Sequence, residues 1–311
     1  MTKVFASIGE CMIELSDAGG GLYRRGFAGD TLNTAWGVRG LTDPAQVLVR
    51  YVTRVGDDAA SEEMLGFFSR AGIDASHVSR VPGRPVGLYM IALQGFERSF
   101  TYWRDSSAAR LLAADLGALR AALADADCVY LSGITLAILP PEHRGNLFAA
   151  LAEARARGAM IAFDANVRVR LWPSLDALRA GLEAGYRAAT IALPTFPDEG
   201  EIFGDASAEE TVVRIAGYGV PEIVVKDGAE PCTLQAEGRI DVIPAVPVAE
   251  PLDTTGAGDS FNAGYLAARL AGRSPAEAVR LAHKVAARVI CSRGALIDMA
   301  ALREITQAEP A

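Results

Sequence analysis

The stretch Asp253-Thr-Thr-Gly-Ala-Gly-Asp-Ser260 decides how the rest of this chain is interpreted. Gly256 and Gly258 stand just before an acid, Asp259, and residues 261–270 have the composition of a helix. Glycines ahead of a helix leave backbone N–H groups exposed, and the positive end of the helix dipole attracts negative charge. The stretch therefore predicts an anion pocket beside one carboxylate, which suits a phosphoryl group in transit to a hydroxyl steered by Asp259.

This glycine-rich loop has three alternative interpretations besides the phosphate pocket. A loop of this kind is often only a helix cap, and the spacing alone leaves that alternative open. A dinucleotide-binding fingerprint lacks its third glycine because Phe261 stands there, and little chain follows to complete such a domain. A Walker A loop is excluded because the chain contains no Gly-Lys pair.

Three further segments join the signature in one order and spacing. They are Ser7-Ile-Gly-Glu10, Gly29-Asp-Thr-Leu-Asn-Thr-Ala35 and Val224-Val-Lys-Asp-Gly228. Together with the signature they resemble the ribokinase-like (PfkB) carbohydrate kinases over residues 4–298. The resemblance implies that Asp259 is the catalytic base and that Gly256, Ala257 and Gly258 form the anion hole. It also implies one domain over residues 1–311, with ATP and Mg²⁺ as cofactors.

Bulk composition limits the classes of function. The 311 residues are 50% hydrophobic and 22% charged, with a net charge of −8 that argues against a nucleic-acid surface. No run of about 20 apolar residues is present, so no membrane span is expected. The N-terminus lacks a signal-peptide pattern, and four scattered cysteines favour reduced thiols over a zinc site, so we expect a cytoplasmic protein.

Alternating strand-like and helix-like segments predict an α/β fold with a mostly parallel central sheet between two helical layers. The predicted strands cover residues 4–8, 46–55, 127–132, 160–164, 190–193 and 222–226, and the predicted helices residues 32–41, 60–71, 141–157 and 276–292. Residues 11–28 and 86–104 instead show β-like alternation without helices. They could be surface hairpins, whereas the resemblance implies a small β lid over the sugar. An exposed edge of such a lid could pair with a second subunit, which predicts a homo-oligomer.

Two groups of polar residues predict where a small substrate binds. Gly29 would let backbone approach a ligand, and Asp30 and Asn33 could read its hydroxyls, although a turn and helix cap would look the same. Tyr102 and Arg104 share one face of a strand.

A second arginine is placed at the end of another predicted strand. Asp164, Asn166 and Arg168 follow that strand at the edge where ligands bind in parallel sheets. Two arginines converging on one pocket indicate a carboxylate, although a single one could be an ordinary surface residue.

A narrower resemblance concerns the substrate. Tyr89, the Tyr-Trp-Arg of residues 102–104, residues 130–134 and Asp164-Ala-Asn-Val-Arg168 are similar to the 2-keto-3-deoxygluconate kinases of this family. This implies a sugar-acid substrate that is phosphorylated at the expense of ATP. The matching Arg104 and Arg168 would hold the carboxylate, and Tyr89 and Tyr102 would contact the sugar.

Two alternative functions remain open. The Asp-x-Asn-x-Arg part is also similar to fructokinases, so a fructokinase or another sugar kinase of this fold is the alternative enzyme. A non-catalytic binding regulator would usually have lost Asp259 or the glycines, and all of them are present.

The resemblance also implies a nucleotide site. Lys226 and Gly228, with Gly256 and Gly258, would lie near the phosphates of ATP. Asp259 at a helix start is expected to stay ionised at pH 7, since the helix end favours the charged form.

The metal side of that site departs from the family pattern. Thr195 stands where many relatives carry an asparagine that helps to organise Mg²⁺, and Asp198 or Glu199 could substitute. A monovalent cation around Asp253, Thr255, Cys291 and Gly294 is a further option.

Overall fold

The computed structural model describes residues 2–94 and 97–307. Gly95 and Phe96 of the second predicted lid segment, and residues 1 and 308–311 of the predicted domain, lie outside the described residues. The strands are β1 (Lys3–Ile8), β2 (Met12–Gly19), β3 (Leu22–Ala28), β4 (Val47–Val52), β5 (Arg54–Val55), β6 (Ser79–Arg80), β7 (Gly87–Gln94), β8 (Glu97–Trp103), β9 (Cys128–Ser132), β10 (Met160–Asp164), β11 (Ile191–Ala192), β12 (Glu222–Val225), β13 (Cys232–Ala236) and β14 (Arg239–Ile243). The helices are α1 (Asp30–Leu41), α2 (Ala59–Arg70), α3 (Leu116–Leu123), α4 (Gly133–Ile138), α5 (Pro141–Ala156), α6 (Leu175–Ala188), α7 (Phe196–Phe203), α8 (Ala208–Ala216), α9 (Ala257–Leu270), α10 (Pro275–Ile290) and α11 (Met299–Gln307).

The central sheet confirms the predicted α/β class. Its strand order is β14-β13-β12-β11-β10-β9-β1-β4, and all neighbours are parallel except the pairs that involve β13 and β14 at one edge. The parallel strands are buried on both faces, which explains why they are near-continuous apolar runs in the sequence.

Two hydrophobic cores, one on each face of the sheet, make three layers. Side chains alternate along a strand, so Phe5 and Tyr130 pack into one core with residues of α1, α2, α9, α10 and α11. Ile8 and Leu131 pack into the other core with residues of α3, α5, α6 and α8. The predicted ribokinase-like three-layer arrangement is therefore confirmed.

A second, four-stranded sheet has the order β3-β2-β7-β8 and contains the two segments predicted as a lid. The turn between β2 and β3 consists of Gly19, Gly20 and Gly21, all at positive φ, where a side chain would be strained. The edge strands are β3 and β8. Its action as a lid and its pairing with a second subunit stay predictions.

Two element boundaries differ from the sequence prediction. The single strand predicted over residues 46–55 is divided into β4 and β5 at Thr53. The helix predicted from Phe261 begins earlier, at Ala257, because Gly256 adopts a left-handed conformation and acts as the N-cap. Gly258 and Asp259 are therefore in the first helical turn. Within the described ranges, the helices are too short or too polar to cross a membrane.

Candidate active site

The site lies at the carboxyl ends of the parallel strands, where β1 and β10 face the first turns of α1 and α9. The position just before α1 needs a glycine, Gly29, because a Cβ there would lie 2.3 Å from the Glu10 carbonyl oxygen. Gly9, after β1, would bring a Cβ within 2.3 Å of the Thr31 hydroxyl oxygen. These two glycines allow the end of β1 and the start of α1 to come together.

Two adjoining cavities occupy this position. The tyrosine cavity, about 350 Å³ in volume, is lined by residues that include Glu10, Asp30, Tyr89, Tyr102, Arg104 and Arg170. The lysine cavity, about 230 Å³, is lined by residues that include Asp164, Thr195, Asp198, Lys226, Ala257 and Gly258. Asn166, Arg168, Gly256 and Asp259 line both cavities. The two spaces therefore meet at the signature loop.

A larger cavity, of about 620 Å³, lies at the opposite edge of the sheet beside Lys3. The ammonium group of Lys3 donates to the Leu270 carbonyl oxygen at 2.7 Å, so this cation already has a partner. None of the signature residues 253–260 lines that cavity. We therefore place the chemistry at the signature loop.

The start of α9 is shaped by two glycines. Gly256 is at φ 73°, and a Cβ on it would lie 2.5 Å from the Cβ of Ala295. The backbone N–H of Ser260 donates to the Gly256 carbonyl oxygen at 2.8 Å, which is the first hydrogen bond of the helix. The N–H groups of Gly258 and Asp259 come before it in the chain and therefore have no acceptor within the helix. A Cβ on Gly258 would have only the Lys226 ammonium nearby, at 3.8 Å. The first turn is therefore open toward the lysine cavity.

Asp259 is a half-buried carboxylate that accepts a hydrogen bond from the Asn33 side-chain amide at 2.8 Å. Burial raises its pKa to about 7, and the neighbouring Asp30 carboxylate adds to the rise. The expectation that Asp259 is fully ionised at pH 7 is therefore wrong, because desolvation and Asp30 outweigh the favourable helix end.

Asp30 is held by Asn166, to which sequence analysis assigned no role. The Asn166 amide donates to the Asp30 carboxylate at 2.8 Å, and Asn166 itself has a left-handed φ of 32°. Its backbone N–H donates to the Asp164 carboxylate at 3.0 Å, which stabilises this uncommon conformation. Burial raises the pKa of Asp30.

Arg104 lines the tyrosine cavity as predicted, but it also has a partner that the sequence did not suggest. It forms an ion pair with Glu10, and the two residues are only 7% and 2% exposed. Glu10 Oε1 and Arg104 Nε have no hydrogen-bond partner among the described residues. Both of these atoms are themselves buried, although Glu10 and Arg104 line the cavity.

The aromatic wall consists of Tyr89 and Tyr102, whose rings stack with centroids 5.6 Å apart. The Tyr89 hydroxyl donates to the Glu14 carboxylate, and burial raises the pKa of Tyr89. The guanidinium carbon of Arg170 lies 4.1 Å from the centre of the Tyr102 ring. Sequence analysis missed Arg170, although its position two residues after Arg168 could have indicated it.

Lys226 is held at the lysine cavity by a buried polar network. Its ammonium donates to the Asp164 carboxylate and to the Asn262 side-chain oxygen, each at 3.1 Å. The Asn262 amide in turn donates to Asp164 at 2.6 Å and to the Tyr130 hydroxyl at 3.1 Å. An ammonium has three hydrogens, so one remains available for an anion.

The structure separates the two acids that could replace the family asparagine. Asp198 lines the lysine cavity, and burial followed by the Asp164 charge raises its pKa. Glu199 instead accepts hydrogen bonds from the Tyr186 hydroxyl and from Arg214, away from the cavity. Asp253 accepts from the backbone N–H groups of Thr255 and Gly294, which ties the signature loop to the segment after α10.

Comparison with known proteins identifies the family. The family model described as pfkB family carbohydrate kinase matches residues 2–301. The chain belongs to this family. A curated relative from Escherichia coli K12, named 2-dehydro-3-deoxygluconokinase, is 43% identical over 309 residues, which cover 97% of this chain and 99% of the relative.

Solved structures agree with the fold of this pfkB-family kinase. A PfkB protein from Polaromonas sp. JS666 has a TM-score of 0.86 at 24% identity, covering 99% of this chain and 100% of that one. A putative Ribokinase II from E. coli, in complex with ATP and Mg²⁺, has a TM-score of 0.83 at 21% identity over 99% of this chain and 100% of its own.

In this pfkB-family kinase most of the predicted site residues line the two cavities. Gly29, Asp30, Asn33, Tyr89, Tyr102, Arg104 and Arg168 line the tyrosine cavity, and Lys226, Ala257 and Gly258 line the lysine cavity. Gly228 is the exception: it has a φ of 58° and is not among the described residues that line either cavity.

Proposed function

We propose that this carbohydrate kinase transfers the γ-phosphoryl group of ATP to the 6-hydroxyl of 2-keto-3-deoxy-D-gluconate. The observation that carries the proposal is that Gly256 and Asp259 line both cavities. A hydroxyl in the tyrosine cavity and a phosphate in the lysine cavity would meet at one carboxylate and one helix start. The name of the E. coli relative supports the choice of substrate.

The tyrosine cavity supplies groups that suit a sugar acid. Asp30 and Asn33 offer hydrogen-bond partners for hydroxyls, Tyr89 and Tyr102 form an apolar wall, and Arg104 and Arg168 offer guanidinium N–H donors for the carboxylate. Gly29 keeps the backbone close to this space. The four-stranded sheet contributes Met12, Tyr89, Phe100 and Tyr102 to the lining, and we propose that it acts as a lid over the sugar.

The lysine cavity suits the phosphates of ATP. The start of α9 presents Gly256, Ala257 and Gly258, and Lys226 adds a cation with an available hydrogen. The nucleotide would extend past Gly228. Among the described residues, no group of three or more His, Cys, Asp or Glu side chains could hold a metal ion.

Mg²⁺ is commonly held by phosphates, water and one or two carboxylates. Asp198 fits the role of carboxylate ligand because it lines the same cavity as Lys226 and Gly258. When bound, Mg²⁺ would neutralise charge on the β- and γ-phosphates. A monovalent cation near Asp253 stays a prediction.

Phosphoryl transfer needs one proton acceptor and positively charged groups held in fixed positions. In the proposed step the substrate hydroxyl oxygen forms a bond to the γ-phosphorus, the bond to the leaving ADP oxygen breaks, and Asp259 takes the hydroxyl proton. Asn33 orients the carboxylate through its 2.8 Å hydrogen bond. A pKa of about 7 suits a base that works near neutral pH.

The test is the release of ADP with Mg-ATP and a panel of acceptors: 2-keto-3-deoxygluconate, its galactonate epimer, fructose and ribose. We expect a strong preference for the two deoxy-keto acids, with the product phosphorylated at the 6-position by ³¹P NMR. Preference for fructose would discard the sugar-acid assignment and leave a sugar kinase of this fold. Asp259→Asn is expected to lose roughly 10²- to 10⁴-fold in turnover with little change in substrate affinity.

The pH dependence of the same reaction tests the base directly. Because Asp259 must be deprotonated and its pKa is raised to about 7, kcat/KM is expected to rise with pH and to level off above about pH 7. A profile that is flat between about pH 5.5 and 8.5 would argue against Asp259 as the base.

A further inference from the structure

The wall of the tyrosine cavity carries several acidic groups that a sugar acid would have to approach. Glu10, Asp30 and Asp259 all line this space, and the substrate would add a fourth carboxyl group. Three arginines, Arg104, Arg168 and Arg170, line it too. The question is which of these cations has charge available for the substrate.

Arg104 is the most buried of the three, and its charge is compensated. It is 7% exposed and forms an ion pair with Glu10, which is 2% exposed. This arginine can still donate hydrogen bonds, but the pair as a whole is close to neutral. It therefore adds little net attraction for an anion.

Arg168 is shared between the two cavities. It lines both of them, and its charge acts on Asp30 in the tyrosine cavity and on Asp198 in the lysine cavity. Its guanidinium donates a hydrogen bond to the neighbouring Val167 carbonyl oxygen, at 2.7 Å. A cation in this position serves the transferred phosphoryl group as well as the sugar.

Arg170 differs from both. Unlike Arg168, it lines the tyrosine cavity and not the lysine cavity, and unlike Arg104 it forms no ion pair within residues 2–94 and 97–307. Its guanidinium carbon is 4.1 Å from the centre of the Tyr102 ring, so the face of the guanidinium is held while its N–H edge stays available. Arg170 is exposed, which places it at the solvent side of the cavity.

We propose that Arg170 binds the substrate carboxylate and is a specificity-determining residue that favours sugar acids over neutral sugars. The inference rests on the proposed function and adds a third arginine to its two. Arg104 and Glu10 then form the buried end of the recognition site, and Arg170, stacked on Tyr102, supplies the uncompensated charge at the entrance. The simpler explanation is a stabilising stack of the kind that Arg187 makes on Tyr218, at 4.7 Å.

The experiment compares two acceptors that differ only at C1: 2-keto-3-deoxygluconate and its neutral counterpart, 3-deoxyfructose. Steady-state kinetics are measured for the wild type, Arg170→Gln, Arg170→Lys and the control Arg187→Gln, which removes a stacked arginine outside both cavities. For Arg170→Gln we expect kcat/KM with the acid to fall roughly 10- to 100-fold through KM, with little change for 3-deoxyfructose. Arg170→Lys should recover part of the loss, because it restores the charge without the planar fork.

The outcomes separate this inference from the proposed function. If the wild type prefers 3-deoxyfructose, both are wrong. If the wild type prefers the acid but Arg170→Gln keeps that preference, only the role of Arg170 is wrong. An equal loss for both acceptors, or an equal loss in the Arg187→Gln control, would show that the stack is merely structural.

Discussion

The contact with Glu10 changes how the role of Arg104 is interpreted, because Arg104 is one partner of a buried ion pair. The two positions are 94 residues apart in the chain, and each is nearly inaccessible. Removing one partner of a buried ion pair leaves an uncompensated charge and typically costs about 3–5 kcal/mol. An alanine at position 104 would therefore disturb folding as well as binding, and a raised KM would be hard to interpret.

A paired substitution separates the two effects. We expect Arg104→Gln alone to lower the thermal midpoint clearly, and the double variant Glu10→Gln/Arg104→Gln to recover most of it, because no charge is then left buried. Both variants should raise KM for the sugar acid and leave KM for ATP unchanged.

An exposed pair provides the matched control for that experiment. Arg120 and Glu153 have side chains that are 52% and 41% exposed, so Arg120→Gln/Glu153→Gln should change stability by less than about 1 kcal/mol. If the double variant in the site stays as unstable as Arg104→Gln, burial of the charge is not the cause. An unchanged KM for the acid in both variants would remove Arg104 from the binding site.

The start of α9 contains two glycines that are needed for different reasons. Gly256 needs a left-handed φ of 73° and has Ala295 where a side chain would stand. Gly258 is helical and has room, but that room is the lysine cavity. The element therefore uses one glycine for its shape, and the other borders the cavity where we propose that an anion binds.

Two alanine substitutions distinguish these roles. Gly256→Ala should lower the thermal midpoint, since the left-handed conformation alone costs about 1–2 kcal/mol and the contact with Ala295 adds to this. Gly258→Ala should keep or raise the midpoint, because alanine is favoured in a helix by roughly 0.5–1 kcal/mol. Its methyl group should nevertheless lower kcat/KM for ATP by roughly tenfold or more, since it narrows the anion pocket.

Gly145→Ala is the control for helix propensity, because Gly145 lies within α5 with nothing within 4 Å of the added Cβ. That variant should be slightly more stable and fully active. Normal activity of Gly258→Ala would contradict the proposed anion pocket. A stable Gly256→Ala would show that the loop can rearrange.

On the scale of the whole molecule, the site is built at a cost in stability. Asp30 and Asp259 are held close together in a half-buried position where the pKa of each is raised. A fold selected for stability alone would not bring two acids together here. In the function that we propose, the arrangement becomes useful when a hydroxyl and a phosphoryl group occupy the two cavities.

The pH dependence of stability makes this cost measurable. An unfolded aspartate has a pKa of about 3.9, and the folded pKa of Asp259 is about 7, so the folded protein binds more protons between these values. Stability contributed by this group is therefore lost as pH rises from about 4 to 7. The loss is at most about 4 kcal/mol, and water in the cavity should reduce it.

Asp259→Asn should accordingly be more stable than the wild type, and by more at pH 8 than at pH 5. Thermal midpoints of both proteins across this pH range provide the measurement. Asp176→Asn is the control, since that side chain is 95% exposed. A stabilisation by Asp259→Asn that does not vary with pH would contradict the raised pKa.

Local patterns predicted much of the fold. Apolar runs of strand length placed β9, β10 and β12 within a few residues, and the signature loop placed a glycine-rich turn before α9. The boundary of α9 was misplaced because the conformation of Gly256 depends on the neighbouring segment at Ala295. Asp198 and Glu199 could not be told apart for a similar reason, because helix geometry sends adjacent side chains in different directions and only packing decides which one meets the cavity.

The sequence by itself determined the family, the α/β layering and the glycine-rich loop with its acid, because each of these depends on residues that are close together in the chain. Only the tertiary structure decided that Glu10 meets Arg104, that Arg170 stacks on Tyr102 and that Asp30 lies close enough to raise the pKa of Asp259. Such contacts join distant segments, and both ion pairing and pKa depend on distance and burial. Distance and burial are set when the two sheets and the helices pack together, so they cannot be inferred from the spacing of residues along the chain.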